Sequence, residues 1–221
     1  MIGSVNVIGS GRVGSAVSAR LEERHVALDA ASPDLVLVCV PDRVINEVAA
    51  EIAPGPWVAH VSGATPLAAL DPHSRRFSVH PLQTFTLRRG AEQLDDAWAA
   101  ITAESDEARI AATWLAKTLG LRPFPLRDEN RATYHAGAAI ASNYLVTLRH
   151  AAGALLEAAG APPEALDPLM ARTIENDFEL TGPIERGDWE TVDRHLEAIR
   201  TTRPDLEAMY RVLADATVAF A

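Results

Sequence analysis

Short runs of β-branched residues alternate with helical patterns through the first half of the chain. The strand-like runs are SVNVIG, DLVLVCV, WVAHVS, RFSVH, WAAIT and LRPFPL, and the helical patterns cover residues 12–24, 43–52 and 106–119. Strands that alternate with helices are typical of a parallel, doubly wound sheet. We therefore predict an α/β domain over residues 1–127.

The pattern changes at Asp128, after which the sequence has no strand-like run. Helical patterns cover residues 130–159, 163–179, 188–200 and 204–220, with breaks at GAP (160–162) and TGP (181–183). This half is predicted to be an all-helical domain over residues 128–221. Within it, Asp188 is expected to cap the helix that follows.

The first of these helices is apolar on nearly every side between Ala136 and Leu148. A helix that is apolar all round has to be covered all round. A small helical domain can hardly do this alone. We therefore expect a homodimer with the helix around residues 130–159 at its centre.

A glycine fingerprint links the first strand to the first helix. It comprises Gly9, Ser10, Gly11, Arg12, Val13 and Gly14. In a G-x-G-x-x-G turn the first glycine makes the bend, the second lets the backbone approach a diphosphate, and the third packs helix against strand. This context predicts a dinucleotide-binding, Rossmann-like fold with these six residues at the cofactor. The alternatives are a glycine-rich turn without a ligand and, for Arg12, a simply exposed arginine.

The segment after the first helix is too short for a complete dinucleotide-binding unit. A second parallel strand would end in an acidic residue that binds the adenosine ribose, and Asp29 is the only candidate. If residues 25–28 form that strand, residues 30–34 alone must return to the next strand. At about 3.4 Å per residue they span under 20 Å, which leaves no room for a crossover helix. We expect a shortened domain with a reduced adenosine half, in which Asp29 is either a ribose ligand or a solvated turn residue.

The composition and charge of the chain argue against several classes of protein. A net charge of −10 argues against nucleic acid, because a polyanion needs a basic face. No stretch is long and apolar enough for a membrane span, and the start lacks the basic region of a signal peptide, so a cytoplasmic protein is expected. The single cysteine, Cys39, is interpreted as a buried structural residue. Neither metal-ligand spacing nor a G-x-S-x-G turn occurs, so we expect no metal site and no serine hydrolase.

Seven segments together resemble a known family. They are residues 9–14, VPD at 40–42, HVSGA at 60–64, HPLQTF at 80–85, YHA at 134–136, ASNY at 141–144 and TGPIERGD at 181–188. The sequence resembles bacterial proteins of the 6-phosphogluconate dehydrogenase-like superfamily that have a Rossmann-like N-terminal domain and a C-terminal helical domain of unknown function. It departs from them in the shortened segment 24–34.

The resemblance implies an NAD(P)-dependent oxidoreductase without fixing its substrate, and we expect a small oxo or hydroxy acid. Ketopantoate reductase activity occurs in part of the family, and the cofactor would be NADP or NAD, with Val40 and Pro41 among the residues that bind it. In the superfamily, the long helix of a dimer often supplies a catalytic lysine and asparagine. The only lysine here is Lys117, in a predicted helix of the sheet domain. A histidine must therefore take the role of the lysine.

Two candidate catalytic residues follow predicted strands. His80 comes after RFSV, at a strand end where open parallel sheets place ligands, and histidine exchanges protons near neutrality. Ser62 also lies just past a strand, and the pair is similar to a serine and histidine of prephenate dehydrogenases. The alternatives are a turn-capping role for His80 and ordinary serine–glycine turn chemistry for Ser62.

Two further candidates lie on the long helix. His135 begins its apolar part, and on a regular α-helix Ser142 would lie about 20° and Asn143 about 80° from it around the axis. His135 and Asn143 are thus candidate catalytic residues, and the alternative is that these polar groups satisfy one another in a dimer core. Three arginines could clamp a substrate carboxylate, although a solvated ion pair is the simpler expectation for each: Arg131, Arg149 and Arg172.

Two functional hypotheses are compatible with these patterns. The first is a small-molecule oxidoreductase with its nicotinamide cofactor on the Gly9–Gly14 turn and His80 as the proton donor. The second is a non-catalytic descendant that lost its cofactor site with the missing segment and serves as a binding or assembly protein.

Overall fold

The computed structural model describes residues 2–220 and divides the chain into two compact units, one ending at Ile140 and the other beginning at Ala141. Within these residues the first unit holds a six-stranded sheet in the order β1-β2-β3-β4-β5-β6. The strands are β1 (Val5–Ile8), β2 (Leu35–Val38), β3 (Trp57–His60), β4 (Arg76–Pro81), β5 (Trp98–Ala103) and β6 (Arg122–Pro125). All six strand-like runs of the sequence therefore form strands.

The helices of the two units follow the predicted order with shorter bounds. The first unit has α1 (Arg12–Glu23), α2 (Ile45–Glu51), α3 (Asp106–Thr118) and α4 (Arg131–Ala139). A π-helical segment, Ile140–Tyr144, comes next in the chain. The second unit continues with α5 (Leu145–Ala158), α6 (Leu166–Glu175), α7 (Trp189–Thr202) and α8 (Glu207–Val218).

Strands β1 to β4 are parallel and closely registered. Ile8 pairs with Val38, Val38 with His60, and His60 with Ser78. The carboxyl ends of these four strands therefore meet at one edge of the sheet, which we call the carboxyl edge. In open parallel sheets, ligands bind in the crevice outside this edge.

Strand β5 departs from the predicted all-parallel arrangement. It runs antiparallel to β4, with Pro81 opposite Ala99 and Phe77 opposite Ala103, whereas β6 is again parallel to β5. The reason is the connection from β4, which contains only the short helical turn Ala91–Leu94. A parallel neighbour requires a long crossover that returns the chain to the starting edge.

The sheet forms the core of the first unit because its central strands are apolar on both faces. All four residues of β2 are buried, as expected for a parallel strand covered by helices on both sides. Val17 and Leu21 of α1 and Leu115 of α3 pack into the same cluster. Cys39 is buried there as predicted, and burial raises the pKa of its thiol to about 12.

The shortened segment after α1 crosses to β2 without a helix. Ala27 forms a single parallel bridge with Ser4, and the amide of Val5 donates to the carbonyl of Ala27 at 2.9 Å. The side chain of Asn6 bonds both backbone groups of Ala30 at 2.9 Å. Residues 30–34 are therefore long enough to reach β2, although their length left little margin. The second strand of a complete dinucleotide-binding unit is reduced to one bridge.

The second unit has a small apolar core. Its buried side chains include Leu166, Val192, Leu196 and Ile199. The carboxylate of Asp188 accepts a hydrogen bond from the amide of Thr191 at 3.1 Å, which confirms the predicted cap of α7. Among residues 2–220, no helix has the length and apolar character needed to cross a membrane.

The helix that carries His135, Ser142 and Asn143 is not a regular α-helix throughout, as the sequence analysis assumed. The angles between His135, Ser142 and Asn143 assumed a regular α-helix. Residues 140–144 instead form a π-helix, whose wider turn offsets the positions beyond it. The predicted common polar flank therefore has no geometric support.

Candidate active site

The glycine turn has the close backbone packing that its sequence predicts. Gly9 has a φ of +111°, and a Cβ there would overlap the carbonyl oxygen of Cys39. A Cβ on Gly14 would overlap the carbonyl oxygen of Gly9. Gly9 and Gly14 are therefore required by the fold itself, with or without a ligand.

Gly11 differs, because the described residues leave open space within 4 Å of the position that its Cβ would take. It is the N-cap of α1, and no described side chain caps that helix end. The first amides of a helix have no intrahelical partner and favour anions. Ser10 and Arg12 beside it are also exposed. The turn thus offers free amides and one guanidinium to an anionic ligand at the carboxyl edge.

Ser62 lies at the same edge, in the turn after β3. Its hydroxyl is 2.8 Å from a carboxylate oxygen of Asp42 and accepts hydrogen bonds from the amides of Ala64 (3.2 Å) and Thr65 (3.0 Å). The hydroxyl also lies 2.9 Å from the hydroxyl of Thr65. The carboxylate of Asp42 can only accept, so Ser62 donates to it, and the hydroxyl of Thr65 can donate to Ser62. Asp42 belongs to the VPD segment, with Val40 half-buried and Pro41 exposed beside the glycine turn.

His80 lies in β4, one residue before the strand ends at Pro81, and its ring contacts a side chain of α4. Its Nδ1 lies 2.7 Å from the hydroxyl oxygen of Tyr134, and the two rings meet edge to face at 5.5 Å between centroids. Tyr134 is backed by Phe124, with 6.0 Å between ring centroids. Nε2 of His80 has no hydrogen-bond partner among the described residues and lies next to Gly63, where an added Cβ would come within 2.9 Å of it.

His135 lies next to His80, and Gly63 makes their approach possible. The two imidazole centroids are 6.2 Å apart. A Cβ on Gly63 would lie 2.8 Å from Cε1 of His80 and 2.9 Å from Cδ2 of His135. His135 is exposed, whereas His80 is partly buried. Both histidine rings therefore pack against Gly63 in the turn after β3.

The surroundings of His80 favour its neutral form. Burial lowers the pKa of His80 to about 4, and the neighbouring His135 and Arg131 act in the same direction. Burial also raises the pKa of Tyr134 to about 12. At neutral pH the pair is thus an uncharged phenol against an uncharged imidazole.

Arg131 is not the solvated ion pair that the sequence suggested. Its side chain is 2% exposed, and its Nε donates to Asp128 at 2.6 Å. One terminal nitrogen donates to the carbonyl of Ser62 at 3.0 Å, and the other donates to the hydroxyl of Ser78. Because all its nitrogens are engaged, Arg131 joins α4 to β3 and β4 and cannot also clamp a substrate carboxylate.

His60, the last residue of β3, bonds the turn that contains Ser62 and Gly63. It is fully buried, and its Nδ1 accepts a hydrogen bond from the amide of Ser62 at 3.2 Å. Burial, followed by the charge of Arg131, lowers the pKa of His60 to about 3. Among the described residues, its buried Nε2 has no partner within hydrogen-bond distance, and such a group costs roughly 1–3 kcal/mol.

Not every predicted site residue joins this cluster. Asn143 is exposed in the π-helical segment and belongs to the second unit. Arg149 pairs with Asp167 at 2.6 Å, and exposed Arg172 pairs with Glu175 at 2.8 Å. Both are surface ion pairs, as expected.

Several residues of the cluster were not predicted from the sequence to have a role in it, among them Asp42, Tyr134 and Gly63. Asp42 and Tyr134 stand in the VPD and YHA segments, so their motifs were the available signal. Gly63 stands between Ser62 and Ala64 in HVSGA, where its sequence indicates only a turn. Their roles depend on contacts between strand ends and α4, which the spacing along the chain does not reveal.

The glycine turn, the parallel strands and the cluster at the carboxyl edge define a Rossmann-like α/β protein. A family model described as a domain of unknown function (DUF2520) matches residues 97–217, more than half of the chain. The chain therefore belongs to this family. No curated protein matches it in sequence.

Solved structures support the fold assignment over the full chain. The Bacteroides fragilis protein BF3122, described as a candidate NADP oxidoreductase, is similar with a TM-score of 0.81 at 20% identity, covering 99% of this chain and 98% of that one. The protein TM1727 from Thermotoga maritima gives 0.76 at 23% identity, covering 96% of each chain. Prephenate dehydrogenase from Aquifex aeolicus, solved with hydroxyphenyl propionate and NAD+, gives 0.57 at 15% identity, covering 99% of this chain and 97% of that one. The fold is thus one used by nicotinamide-dependent enzymes.

Proposed function

We propose that this protein is an NAD(P)-dependent oxidoreductase that interconverts a carbonyl and a hydroxyl group on a small oxo or hydroxy acid. The observation that carries the proposal is the meeting of two features at one sheet edge. The glycine turn with its free amides follows β1, and His80, which pairs with Tyr134, lies near the end of β4, three strands away. At about 4.8 Å between strands, the separation of roughly 14 Å suits an extended cofactor.

The residues at the turn fit the diphosphate of a dinucleotide. Gly11 leaves the space that a side chain would fill, and the uncapped start of α1 supplies donors. Arg12 adds a positive charge, and Val40 and Pro41 would border the cofactor between the turn and His80. When bound, the nicotinamide would supply or accept the hydride at the substrate carbon.

The task of His80 is to exchange the proton at the substrate oxygen. In the neutral ring, Nε2–H donates to that oxygen as carbonyl becomes hydroxyl. Tyr134 can pass its proton to Nδ1 at the same moment, so the imidazole does not become an anion, and the phenol then regains a proton from solvent. Exposed His135 connects the pair to solvent, and Ser62, held by Asp42, positions the turn beneath both rings. The reverse reaction uses the same groups, with His80 as the base.

Asn143 remains a candidate catalytic residue, as the family resemblance implies. The helical part of the chain is proposed to form a homodimer. Leu145 and Val146 at the start of α5 are 40% and 57% exposed, and Tyr144 before them is 58% exposed. An apolar surface at three neighbouring positions favours a protein partner over water.

The competing function, a non-catalytic binding or assembly protein, predicts that no dinucleotide binds. Calorimetric titration with NADPH and NADH separates the two proposals. We expect micromolar binding by the wild-type chain. Gly11→Ala should weaken it at least tenfold, or about 1.4 kcal/mol, without lowering Tm, because its methyl group enters space that a phosphate would need.

Gly3→Ala is the matched control, since Gly3 lies before the amino end of β1 and a Cβ there meets only Asp34 at 3.6 Å. Its affinity should equal that of the wild type. Absence of heat and of tryptophan quenching at millimolar cofactor would remove the oxidoreductase proposal and leave the binding protein.

A further inference from the structure

We infer that this chain holds a dinucleotide by its diphosphate and nicotinamide half alone, and that the adenosine extends past the glycine turn without a pocket. NADH and NADPH, which differ only at the adenosine ribose, should then bind alike. The inference rests on the proposed function and deepens it.

The first observation concerns the free edge of β1. In a complete dinucleotide fold, a full second strand runs along this edge and ends beside the glycine turn, where its acidic residue holds the ribose. Here the described residues supply one bridge, between Ala27 and Ser4. Ser4 precedes the start of β1, whereas the glycine turn follows Ile8 at its other end.

The second observation is the path of the chain after this bridge. The backbone turns at Asp29, which has a φ of +54°, and Ala30 then bonds the side chain of Asn6. Asp34 returns to the amino end, where its carboxylate accepts from the amide of Gly3 at 2.8 Å. Each of these contacts involves β1 no further along than Asn6.

Asn6 is two residues short of Ile8, which corresponds to about 7 Å along a strand. The contacts of segment 24–34 with β1 therefore lie on the amino-terminal side of the carboxyl edge. We infer that the segment does not line a pocket next to the glycine turn. Asp29 is exposed in this segment, as a solvated turn residue would be. We infer that its carboxylate does not hold the ribose, because the contacts on either side of it reach β1 no further along than Asn6.

Two exposed arginines outside segment 24–34 agree with this assignment. Arg12 is exposed in the first turn of α1, and Arg43 is exposed in the short helix after β2. Both follow strands at the carboxyl edge, where the diphosphate common to NADH and NADPH would lie. Neither belongs to the segment that would surround an adenosine ribose.

Saturation-transfer NMR on the full chain tests the inference directly. With NADH or NADPH as the probe, the nicotinamide protons should receive strong saturation and the adenine H2 and H8 protons less than about a third as much. By calorimetry, the two dissociation constants should agree within about threefold. Asp29→Asn should leave their ratio unchanged.

Two results would overturn the inference while leaving the proposed function intact. One is adenine saturation equal to that of the nicotinamide. The other is a preference of about tenfold or more for one dinucleotide that Asp29→Asn removes. If neither dinucleotide binds, the proposed function fails as well, so the two failures are distinguishable.

Discussion

The hydroxyl oxygen of Tyr134 lies 2.7 Å from Nδ1 of His80, although the two residues are 54 positions apart in the chain. Each partner is uncharged at neutral pH, since the pKa of the phenol is raised and that of the imidazole is lowered. A phenol is a better hydrogen-bond donor than acceptor. We therefore expect Nδ1 to accept and Nε2 to carry the ring proton.

Tyr134→Phe should weaken the preference of His80 for the tautomer that is protonated at Nε2. Without the phenol, the Nε2–H form of His80 loses about 0.5–1.5 kcal/mol of preference, and the Nδ1–H form becomes populated. Nitrogen-15 chemical shifts of the His80 ring report the change directly, and turnover should fall with it.

A second histidine–tyrosine pair supplies the control. Nδ1 of His195 lies 2.8 Å from the hydroxyl oxygen of Tyr210, within the second unit. Tyr210→Phe should leave the His80 shifts and turnover unchanged. Identical nitrogen shifts for His80 in the wild type and Tyr134→Phe would refute the assignment.

Acid should destabilise the fold between pH 6.5 and 4. His80 titrates near 6.5 when unfolded and at about 4 when folded. The stabilisation is therefore complete above pH 6.5 and is lost as the pH falls, because the unfolded chain binds the extra proton. For His80 this loss is about 3 kcal/mol at pH 4, and His60 adds to it in the same direction.

Urea unfolding at several pH values measures this loss. His80→Gln should lose less free energy of unfolding between pH 6.5 and 4 than the wild type, whereas His150→Gln, on the exposed surface of α5, should match the wild type. A His80 proton resonance that titrates near pH 6.5 in the folded chain would contradict the expectation.

The sequence predicted the fold well because its strongest signals are local. Alternation of strands and helices gave all six strands, and the glycine turn gave the placement of Gly9 and Gly14. It did not predict that β5 is antiparallel, since strand direction depends on whether the connection from β4 crosses the sheet. The signal for the direction of β5 is that residues 82–97 have no pattern of an α-helix long enough to cross the sheet.

The candidate site was less predictable because it is made of long-range contacts. His80 was identified by its place at a strand end, but its partner Tyr134 lies on α4. Arg131 was expected to be solvated since arginine usually is, yet its three hydrogen-bond partners come from different elements. Which elements meet is a property of the packed unit and not of any local pattern.

Gly63→Ala should disturb the histidines without straining the backbone. The added methyl group meets His80 and His135 at 2.8–2.9 Å, so the rings must move apart. We expect a loss of turnover of about tenfold or more, since displacement of a catalytic group by about 1 Å can cost up to 100-fold. The NMR signals of both rings should shift.

Gly137→Ala is the matched control for this substitution. Gly137 lies in α4, and the described residues leave open space around the position of its Cβ. Alanine should stabilise the helix by about 0.5–1 kcal/mol and leave turnover unchanged. Equal turnover in the two variants would show that contact with Gly63 does not position the histidines.

Arg131→Leu should destabilise the first unit strongly. The change leaves Asp128 without its partner and frees the hydrogen-bonding groups of Ser62 and Ser78, so we expect a loss of about 3–5 kcal/mol in the free energy of unfolding. Arg131→Lys should not restore it, because an ammonium group cannot span the three partners.

Arg172→Leu is the control, because it removes an ion pair on the surface and should change the free energy of unfolding little. Arg172 and Glu175 have side chains 69% and 59% exposed, and such pairs contribute about 0–1 kcal/mol. Chemical denaturation of the variants measures both effects. A loss under about 1 kcal/mol in Arg131→Leu would show that its hydrogen bonds do not hold α4 against the sheet.

Self-association should depend on the start of α5. Val146 is 57% exposed and lies next to Leu145 and Tyr144, so a glutamate there would place a charge in a buried apolar interface. We expect the wild-type chain to sediment as a dimer at micromolar concentration and Val146→Glu as a monomer. Val212→Glu on α8, where Val212 is 67% exposed, should remain dimeric. A monomeric wild-type chain, or equal dimerisation of both variants, would exclude this surface, because only contact at α5 distinguishes the two substitutions.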